Sequence, residues 1–244
     1  MKVLIDVGNT NIVLGFYDND KTYRFVTNKT RSSDEYAMLL GGVLNNVEGV
    51  IISSVVPELN NILKDYFEKY FNVTPIFVGP GVKTGVKIQV DNPKEVGADL
   101  ITAAASGIKK YGNNCLLIDL GTATTLTYIE NQTLKGVIIC AGIETSKKAL
   151  IKNASLLSEV TFDVPNKVVG TNTSSAIRSG LLYGHAALID GLIERIKTET
   201  KNNNIACVLT GGLSKIIKPL LKNNVYYDED LVLEGLRYIY DLNK

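Results

Sequence analysis

The chain has 244 residues, of which 45% are hydrophobic, and its formal net charge is +1. The hydrophobic content is sufficient for a folded core, and the near-neutral charge argues against binding to nucleic acid or to an anionic membrane surface. Asp6 interrupts the N-terminal apolar run and no stretch reaches about 18 apolar residues, so we expect a cytoplasmic protein without a membrane span.

The cysteines and the histidine argue against disulfide bonds and against a zinc site. Cys115, Cys140 and Cys207 lie in apolar runs without CxxC spacing, which is typical of free thiols in a reducing compartment. His185 is the only histidine, so a zinc site is not expected. It follows a glycine inside a long helical pattern, and we interpret it as a packed or rim residue.

The first half begins with strand-like runs and continues with alternating helices and strands. Ser32 to Asp34 is typical of a helix N-terminus, and Pro57 with Glu58 is typical of another. The predicted elements are strands at 2–6, 11–17 and 22–27, a helix ending near 46, a strand from 49, a helix from 57 to about 71, and a strand at 75–78.

A helix of small residues joins this region to a second series of elements. The segment from Asp91 to about Tyr111 contains Asp-Asn-Pro and then an alanine-rich helix, which allows close packing at a cleft or a subunit contact. The second series is predicted as strands at 115–119, 124–130 and 134–140, a helix at 143–157, a long helix at 173–200, a strand at 205–210, and helices at 213–222 and 229–242.

Two segments of the chain are near copies of each other. VLIDVGNTNIVLGFYDN at 3–19 and LLIDLGTATTLTYIEN at 116–131 share an apolar run, an Asp, a Gly, small polar residues and a second apolar run. The N–H groups of such a turn can bind phosphate oxygens, and the preceding carboxylate can hold a bridging cation. One hairpin of this kind is common, but two in tandem halves favour a phosphate-binding function.

The repeated order of elements predicts a duplicated α/β fold. Each half follows βββαβα, the order of the ribonuclease H-like unit, and we expect one half at 1–112 and the other at 113–244. This arrangement resembles the superfamily of actin-like proteins, sugar kinases and heat-shock ATPases. The resemblance implies that a nucleotide cleft lies between the two halves, at their Asp-Gly hairpins.

Motifs distributed over nearly the whole chain resemble those of the type III pantothenate kinases. They are DVGNTNIV (6–13), ISSVVP (52–57), VGPGVKTG (78–85), DNPKEVGAD (91–99), DLGTATT (119–125), NKVVGTNT (166–173), TGGL (210–213) and LVLEGL (231–236). Members of this family phosphorylate pantothenate with ATP to 4′-phosphopantothenate, the first step of coenzyme A biosynthesis. The resemblance implies a homodimeric kinase that uses ATP, Mg²⁺ and a monovalent cation, K⁺ or NH₄⁺.

The resemblance also implies roles for individual residues. Asp99 matches the general base, Asp119 the carboxylate that holds the monovalent cation, and Asp6 the carboxylate that orients magnesium. The implied ATP or phosphate contacts are Asp6, Val7, Gly8, Asn9, Thr10, Asn11, Ile12, Val13 and Thr122. The implied acceptor contacts are Val90, Gly97, Ala98, Asp99, Leu100 and Thr173, with Thr173 reaching across the dimer. Independently, phosphoryl transfer to a hydroxyl requires a carboxylate that accepts the proton and a metal at the phosphates.

Three positions depart from the family pattern. Leu100 stands where the family usually has Arg, Val90 where it often has Tyr, and Thr127 where Asp commonly follows the Gly-Thr-Ala-Thr-Thr stretch. Arginine offers bidentate donors to a carboxylate and leucine offers none. Because pantothenate carries a carboxylate, acceptor recognition is the step that these changes affect, and Arg178 of a second subunit is a candidate for the compensating cation.

Three functions are compatible with these residues. The first is an active pantothenate kinase. The second is another small-molecule kinase, in which Leu100 and Val90 form a more apolar acceptor pocket. The third is a regulatory binding protein, as relatives called Bvg accessory factors were first regarded. The carboxylates at 6, 99 and 119 favour catalysis, and the lack of a helix-turn-helix pattern argues against direct DNA contact.

Overall fold

The structure, a computed structural model, describes residues 1–153 and 160–244. These residues form two compact units, one comprising 1–110 with 230–244 and the other 111–229. Residues 154–157 of the helix predicted at 143–157 lie outside the described residues. Within the described ranges, no helix is long and apolar enough to cross a membrane.

The elements follow the chain largely as predicted. The strands are β1 (Lys2–Val7), β2 (Asn11–Phe16), β3 (Thr22–Val26), β4 (Gly49–Ser54), β5 (Ile76–Phe77), β6 (Lys87–Ile88), β7 (Cys115–Leu120), β8 (Ala123–Glu130), β9 (Thr133–Ala141), β10 (Ala206–Thr210) and β11 (Tyr226–Tyr227). The α-helices are α1 (Ser33–Leu40), α2 (Pro57–Phe71), α3 (Ala98–Tyr111), α4 (Ile143–Asn153), α5 (Thr173–Thr200), α6 (Ser214–Ile217) and α7 (Leu231–Leu242). Short 3₁₀ turns occupy Pro93–Glu95 and Lys218–Leu220.

The first unit is built on a five-stranded sheet with the order β3-β2-β1-β4-β5. Its central strand β1 is antiparallel to β2 and parallel to β4. Successive side chains of a strand point to opposite faces. Accordingly, Val3 and Ile5 belong to one core cluster, which includes residues of α1 and α2, whereas Leu4 belongs to another that includes residues of α3 and α7. Helices therefore cover both faces of this sheet.

The ends of α1 and α2 are set by local sequence. Ser32 caps α1, and its reciprocal hydrogen bonds with Glu35 form a capping box. The helix was predicted to continue to about 46, but it ends at Leu40 because Gly41 and Gly42 follow, and glycine disfavours helix continuation. Helix α2 has Pro57 in its first turn, as predicted, and ends at Asn72, which adopts the left-handed conformation with φ of 55°.

The second unit repeats the hairpin arrangement. Its strands run in the order β11-β10-β7-β8-β9; β7 is antiparallel to β8 and parallel to β10. One face of β7 packs on α5 through a cluster that contains Leu116, Ile118, Leu182 and Ile189. Helix α5 spans the predicted residues, and the Asn172 side chain with Ser175 caps its first turn. Each unit therefore has a βββα core in which the first strand is central.

The C-terminal helix belongs to the first unit rather than the second. The division at 112/113 had assigned α7 to the second half, but residues 230–244 are part of the first unit. Leu236 and Ile239 are fully buried in the cluster around Leu4. Gly235 allows close approach to α3, since a Cβ there would lie 2.0 Å from the Thr102 carbonyl oxygen. Helix α7 therefore covers the same face of the first sheet as α3.

The small residues of α3 serve the same contact. Ala103, Ala104 and Ala105 are buried within the first unit. The predicted close packing is therefore present, and it joins α3 to α7 within the first unit. The three cysteines are free thiols, as predicted, and burial raises the pKa of Cys115 to about 12.

Candidate functional site

The first Asp-Gly hairpin joins β1 to β2. Asp6 lies near the end of β1, and the Gly8 N–H donates to the Asn11 carbonyl oxygen at 2.9 Å. Thr27, which directly follows β3, makes two hydrogen bonds to this turn. Its hydroxyl donates to the Gly8 carbonyl at 2.6 Å, and its N–H donates to the Thr10 carbonyl at 3.0 Å. The turn is therefore fixed by hydrogen bonds before any ligand binds.

The residues of this hairpin differ in what they can offer a ligand. The side chains of Asn9 and Thr10 are exposed, and Asp6 is partly exposed. The side chains of Val7 and Ile12 are buried in the core cluster of the first unit. Any contribution of these two apolar residues to phosphate binding would come from their backbone groups, whereas Asn9 and Thr10 can use their side chains.

The second hairpin, between β7 and β8, has a similar turn. The Gly121 N–H donates to the Ala123 carbonyl oxygen at 3.1 Å, so this turn is one residue shorter than the first. The Thr122 carbonyl accepts from the Thr145 hydroxyl at 2.7 Å and from the Gly142 N–H at 3.2 Å. A Cβ at Gly142 would lie 2.3 Å from the Gly121 carbonyl oxygen. Glycine at 142 thus lets the start of α4 pack on the turn.

Asp119 lies at the end of β7 and is enclosed by the TGG segment after β10. It pairs in register with Thr210, and Gly211 adopts a φ of +96°. A Cβ at Gly211 would lie 2.4 Å from Asp119 Oδ1. The motif TGGL at 210–213 carries no predicted role in the sequence. The structure gives Gly211 one: it allows the backbone to pass directly against the carboxylate.

His185 supports the second hairpin from the core. Its Nε2 lies 2.8 Å from the hydroxyl oxygen of Thr124, and both side chains are buried. Burial lowers the pKa of His185, which favours the neutral ring at physiological pH. The interpretation of His185 as a packed residue is confirmed, and its partner Thr124 in the DLGTATT motif was not predicted.

Asp99 begins α3 in the first unit. Its Oδ1 accepts from the Leu100 N–H at 2.8 Å. A Cβ at Gly97 would lie 2.4 Å from the same oxygen and 3.4 Å from Val55 Cγ1. The carboxylate thus occupies the space that a side chain at 97 would fill. Burial raises the pKa of Asp99 above its ordinary value, because a partly desolvated carboxylate is less stable in its charged form.

Asp6 and Asp99 both lie near the carboxyl ends of the parallel strands β1 and β4. Asp6 pairs in register with Ser53 of the parallel strand β4, and Val55 follows that strand directly. Val55 in turn contacts the Gly97 position beside Asp99. The candidate magnesium carboxylate and the candidate base therefore both lie at the carboxyl ends of β1 and β4.

An unpaired hydroxyl lies beside Asp6. Ser53 is fully buried, and its Oγ has no hydrogen-bond partner among the described residues. A buried hydroxyl without a partner is costly unless something completes its hydrogen bonding. Carboxylate and hydroxyl oxygens are ligands that suit Mg²⁺. No group of three or more His, Cys, Asp or Glu side chains that could hold a metal occurs in residues 1–153 and 160–244. The oxygens of Asp6 and Ser53 therefore fit a Mg²⁺ ion.

The three departures from the family pattern have different surroundings. Leu100 and Val90 are partly buried and offer no side-chain donors. Thr127 lies in the interior of the second sheet, where it is 2% exposed and pairs in register with Leu117. Thr173, the remaining acceptor candidate, is the exposed first residue of α5.

The family model for type III pantothenate kinase matches residues 2–195. This chain belongs to that family. It is 44% identical to the type III pantothenate kinase of Exiguobacterium sp. over 255 aligned residues, and 41% identical to that of Shouchella clausii over 256, with both chains covered completely in each case. The predicted family is therefore confirmed.

Solved structures show the fold. A protein from Campylobacter jejuni described as a Baf family transcriptional activator aligns with a TM-score of 0.63 at 20% identity, covering 99% of this chain and 98% of that one. A ROK family glucokinase from Streptomyces griseus aligns with a TM-score of 0.51 at 15% identity, covering 99% and 98%. These likenesses, together with the two sheets, confirm the duplicated ribonuclease H-like fold.

Proposed function

We propose that this chain transfers the γ-phosphoryl group of ATP to the hydroxyl of pantothenate, which yields 4′-phosphopantothenate and ADP in the first step of coenzyme A biosynthesis. The observation that carries the proposal is membership of the type III pantothenate kinase family over the full length of the chain. The carboxylates at 6 and 119 also lie near the ends of strands β1 and β7, and that at 99 lies at a helix start. Pantothenate is therefore favoured over another acceptor and over a regulatory role. A cytoplasmic location is part of the same proposal.

Asp99 is proposed as the general base. Its carboxylate accepts the proton of the acceptor hydroxyl while that oxygen bonds to the γ-phosphorus and the bond from phosphorus to the leaving ADP oxygen breaks. The raised pKa of Asp99 suits this role, because a carboxylate with a higher proton affinity is a stronger base. Gly97 and Ala98 set the position of the carboxylate at the start of α3, since Gly97 leaves the space that it occupies.

Asp6 is proposed to hold Mg²⁺, with the Ser53 hydroxyl beside it. When bound, the ion offsets negative charge on the phosphates. Asn9 and Thr10 of the first turn are proposed to donate hydrogen bonds to phosphate oxygens, and Thr122 of the second turn is proposed as a further ATP contact. The exposure of Asn9 and Thr10 supports this role.

Asp119 is proposed to serve a monovalent cation, K⁺ or NH₄⁺. The close approach of Gly211 supports the role, because it places the backbone of the TGG segment directly beside the carboxylate. Thr125 and Thr210 flank Asp119 in the sheet and restrict its position.

A homodimer is proposed, with α5 at its interface. The apolar residues of α5 between 181 and 193 are largely core residues of the second unit, including Leu181, Ile189 and Ile193. The exposed residues of α5 support the dimer better. Gly180, Gly184, Ala187 and Gly191 are exposed at the spacing of one helix face, and a Cβ at any of the three glycines would meet nothing within 4 Å. Thr173 lies on the same face by helical spacing, which supports its proposed contact with the acceptor of the second subunit.

The proposal is tested by identifying the product. The purified chain is incubated with ATP, Mg²⁺, K⁺ and pantothenate, and phosphorus NMR is used to look for a new phosphomonoester. We expect a phosphomonoester signal that requires pantothenate and that Asp99→Asn forms at least about 10²-fold more slowly. ADP and free phosphate without a phosphomonoester would identify a hydrolase and contradict the proposal.

A further inference from the structure

Two helices of the second unit form hydrogen bonds with the second Asp-Gly hairpin. At the start of α4, the Thr145 hydroxyl and the Gly142 N–H both donate to the Thr122 carbonyl. On α5, His185 Nε2 lies 2.8 Å from the Thr124 hydroxyl oxygen. The contact with α4 holds the turn itself, whereas the contact with α5 holds the start of β8. The pair of His185 and Thr124 is therefore a directional link between α5 and this hairpin.

Thr124 faces the core rather than the side of the sheet that carries Asp119. Successive side chains of a strand point to opposite faces, and Leu126, two residues after Thr124, belongs to the core cluster that includes α5. Thr125, between them, is the register partner of Asp119. Thr124 is fully buried and His185 is 7% exposed. Neither side chain is placed to touch a ligand, so the pair can affect binding only through the position of the backbone.

A polar pair restrains the geometry of this core more than an apolar pair would. The surrounding cluster is apolar and includes Leu126 of β8 and Leu182 of α5. Apolar contacts are non-directional, whereas a hydrogen bond requires both a short distance and alignment of its groups. A buried hydroxyl that loses its partner also keeps the cost of its desolvation. The hydrogen bond therefore fixes where β8 starts against α5, and with it the turn at 121–123.

We propose that His185 is a positioning residue for ATP binding and that it acts through Thr124 on the second turn. The inference rests on the proposed function, in which Thr122 of this turn contacts ATP. Only Ala123 separates Thr122 from Thr124, and its carbonyl accepts from the Gly121 N–H. Without the hydrogen bond to α5, Thr124 shifts and changes the turn, while α4 still holds the Thr122 carbonyl. Thr122 then no longer meets the nucleotide in its original geometry, and the affinity for ATP falls. All of these residues belong to the second unit.

The test measures Kd for Mg-ATP by isothermal titration calorimetry without acceptor, and KM for both substrates by steady-state kinetics, well below the unfolding temperature. His185→Leu and Thr124→Val each remove the hydrogen bond, so we expect each to raise Kd and KM for ATP roughly 10-fold and to leave KM for pantothenate unchanged. The double variant should show no further increase, because two residues that act through one contact are not additive. His185→Gln should restore most of the affinity, because its amide nitrogen can donate to the Thr124 hydroxyl.

Ile193→Val is the matched control in the same core cluster. Ile193 lies two turns after His185 on α5, about 12 Å along the helix axis, and is 1% exposed. This variant should lower Tm and leave Kd for ATP unchanged. It therefore separates loss of core packing from displacement of the turn.

Three results would overturn the proposal. An unchanged Kd for ATP in His185→Leu and Thr124→Val, with only Tm lowered, would show that the pair serves core stability alone. Equal increases in KM for ATP and for pantothenate would show a general disturbance of the protein. Additive increases in the double variant would show that the two side chains act separately. Because Kd is measured without turnover, a parent chain that binds ATP but does not phosphorylate pantothenate would contradict the proposed function and not this inference.

Discussion

Replacing Asp99 by Asn tests the assignment of the general base. The amide has nearly the shape of the carboxylate, and its oxygen can keep the hydrogen bond from the Leu100 N–H. The fold should therefore remain, while proton acceptance from the hydroxyl is lost. General-base catalysis contributes about 10²- to 10⁴-fold, so we expect kcat to fall by at least about 10²-fold, which corresponds to about 3 kcal/mol in the activation free energy.

Unlike kcat, the stability of the folded protein should not fall in Asp99→Asn. Because the pKa of Asp99 is higher in the folded protein than in the unfolded chain, the folded state binds more protons between these two values. The free energy of unfolding therefore falls as pH rises from the ordinary carboxyl pKa to the raised one, and above that pH the charged carboxylate lowers stability. Asp99→Asn removes this effect, so its Tm at neutral pH should equal or exceed that of the parent.

The assay measures ADP release with saturating pantothenate, and thermal unfolding is followed by circular dichroism. Asp65→Asn, an exposed carboxylate of α2 in the same unit, is the matched control and should leave both kcat and Tm unchanged. In the parent, kcat should fall at acidic pH with an apparent pKa above the ordinary value of about 4, and this transition should be absent from the residual activity of Asp99→Asn. An Asn variant with parental kcat would refute the assignment, and the base would lie elsewhere.

Other predictions follow from close contacts around the carboxylates. Gly97→Ala places a Cβ 2.4 Å from Asp99 Oδ1 and should displace the carboxylate. We expect kcat in the ADP assay to fall by roughly 10²-fold, while the circular dichroism spectrum is retained. An unchanged kcat would contradict the packing at Gly97. Gly211→Ala puts a side chain at a φ of +96° and places its Cβ 2.4 Å from Asp119 Oδ1. We therefore expect the free energy of unfolding, measured by denaturant titration, to fall by about 1–3 kcal/mol. An unfolding midpoint equal to that of the parent would contradict this contact. Asp119→Asn should abolish the preference for K⁺ or NH₄⁺ over Na⁺ in steady-state kinetics and leave the molecular mass by light scattering unchanged; a parent chain equally active in all three salts would contradict the cation role.

Much of the fold could be predicted because local sequence determines it. The two Asp-Gly hairpins, the capping box at Ser32 and the length of α5 all follow from short-range patterns that the structure retains. The helix predicted at 213–222 is instead α6 followed by a 3₁₀ turn, because Pro219 lacks the N–H that would continue an α-helix. Strand β11 was missed because it contains only Tyr226 and Tyr227.

The remaining features depend on contacts between distant parts of the chain. The packing of Gly235 against Thr102 places α7 in the first unit, and no local pattern in either segment indicates the other. The same holds for Gly211 beside Asp119 and for the hydrogen bond between His185 and Thr124. The family resemblance named the carboxylates, but the groups that enclose them became visible only when the strands were paired. The role of each carboxylate stays a prediction until the variants are measured.

The most direct test of the central claim is the dependence of ATP turnover on the acceptor. ADP release is measured in K⁺ with no acceptor, with pantothenate, and with a panel of hexoses that represents the sugar kinases of the same fold. We expect saturable turnover with pantothenate and only background release with the hexoses or with no acceptor. Turnover that is equal without pantothenate, or that requires a hexose instead, would contradict the central claim.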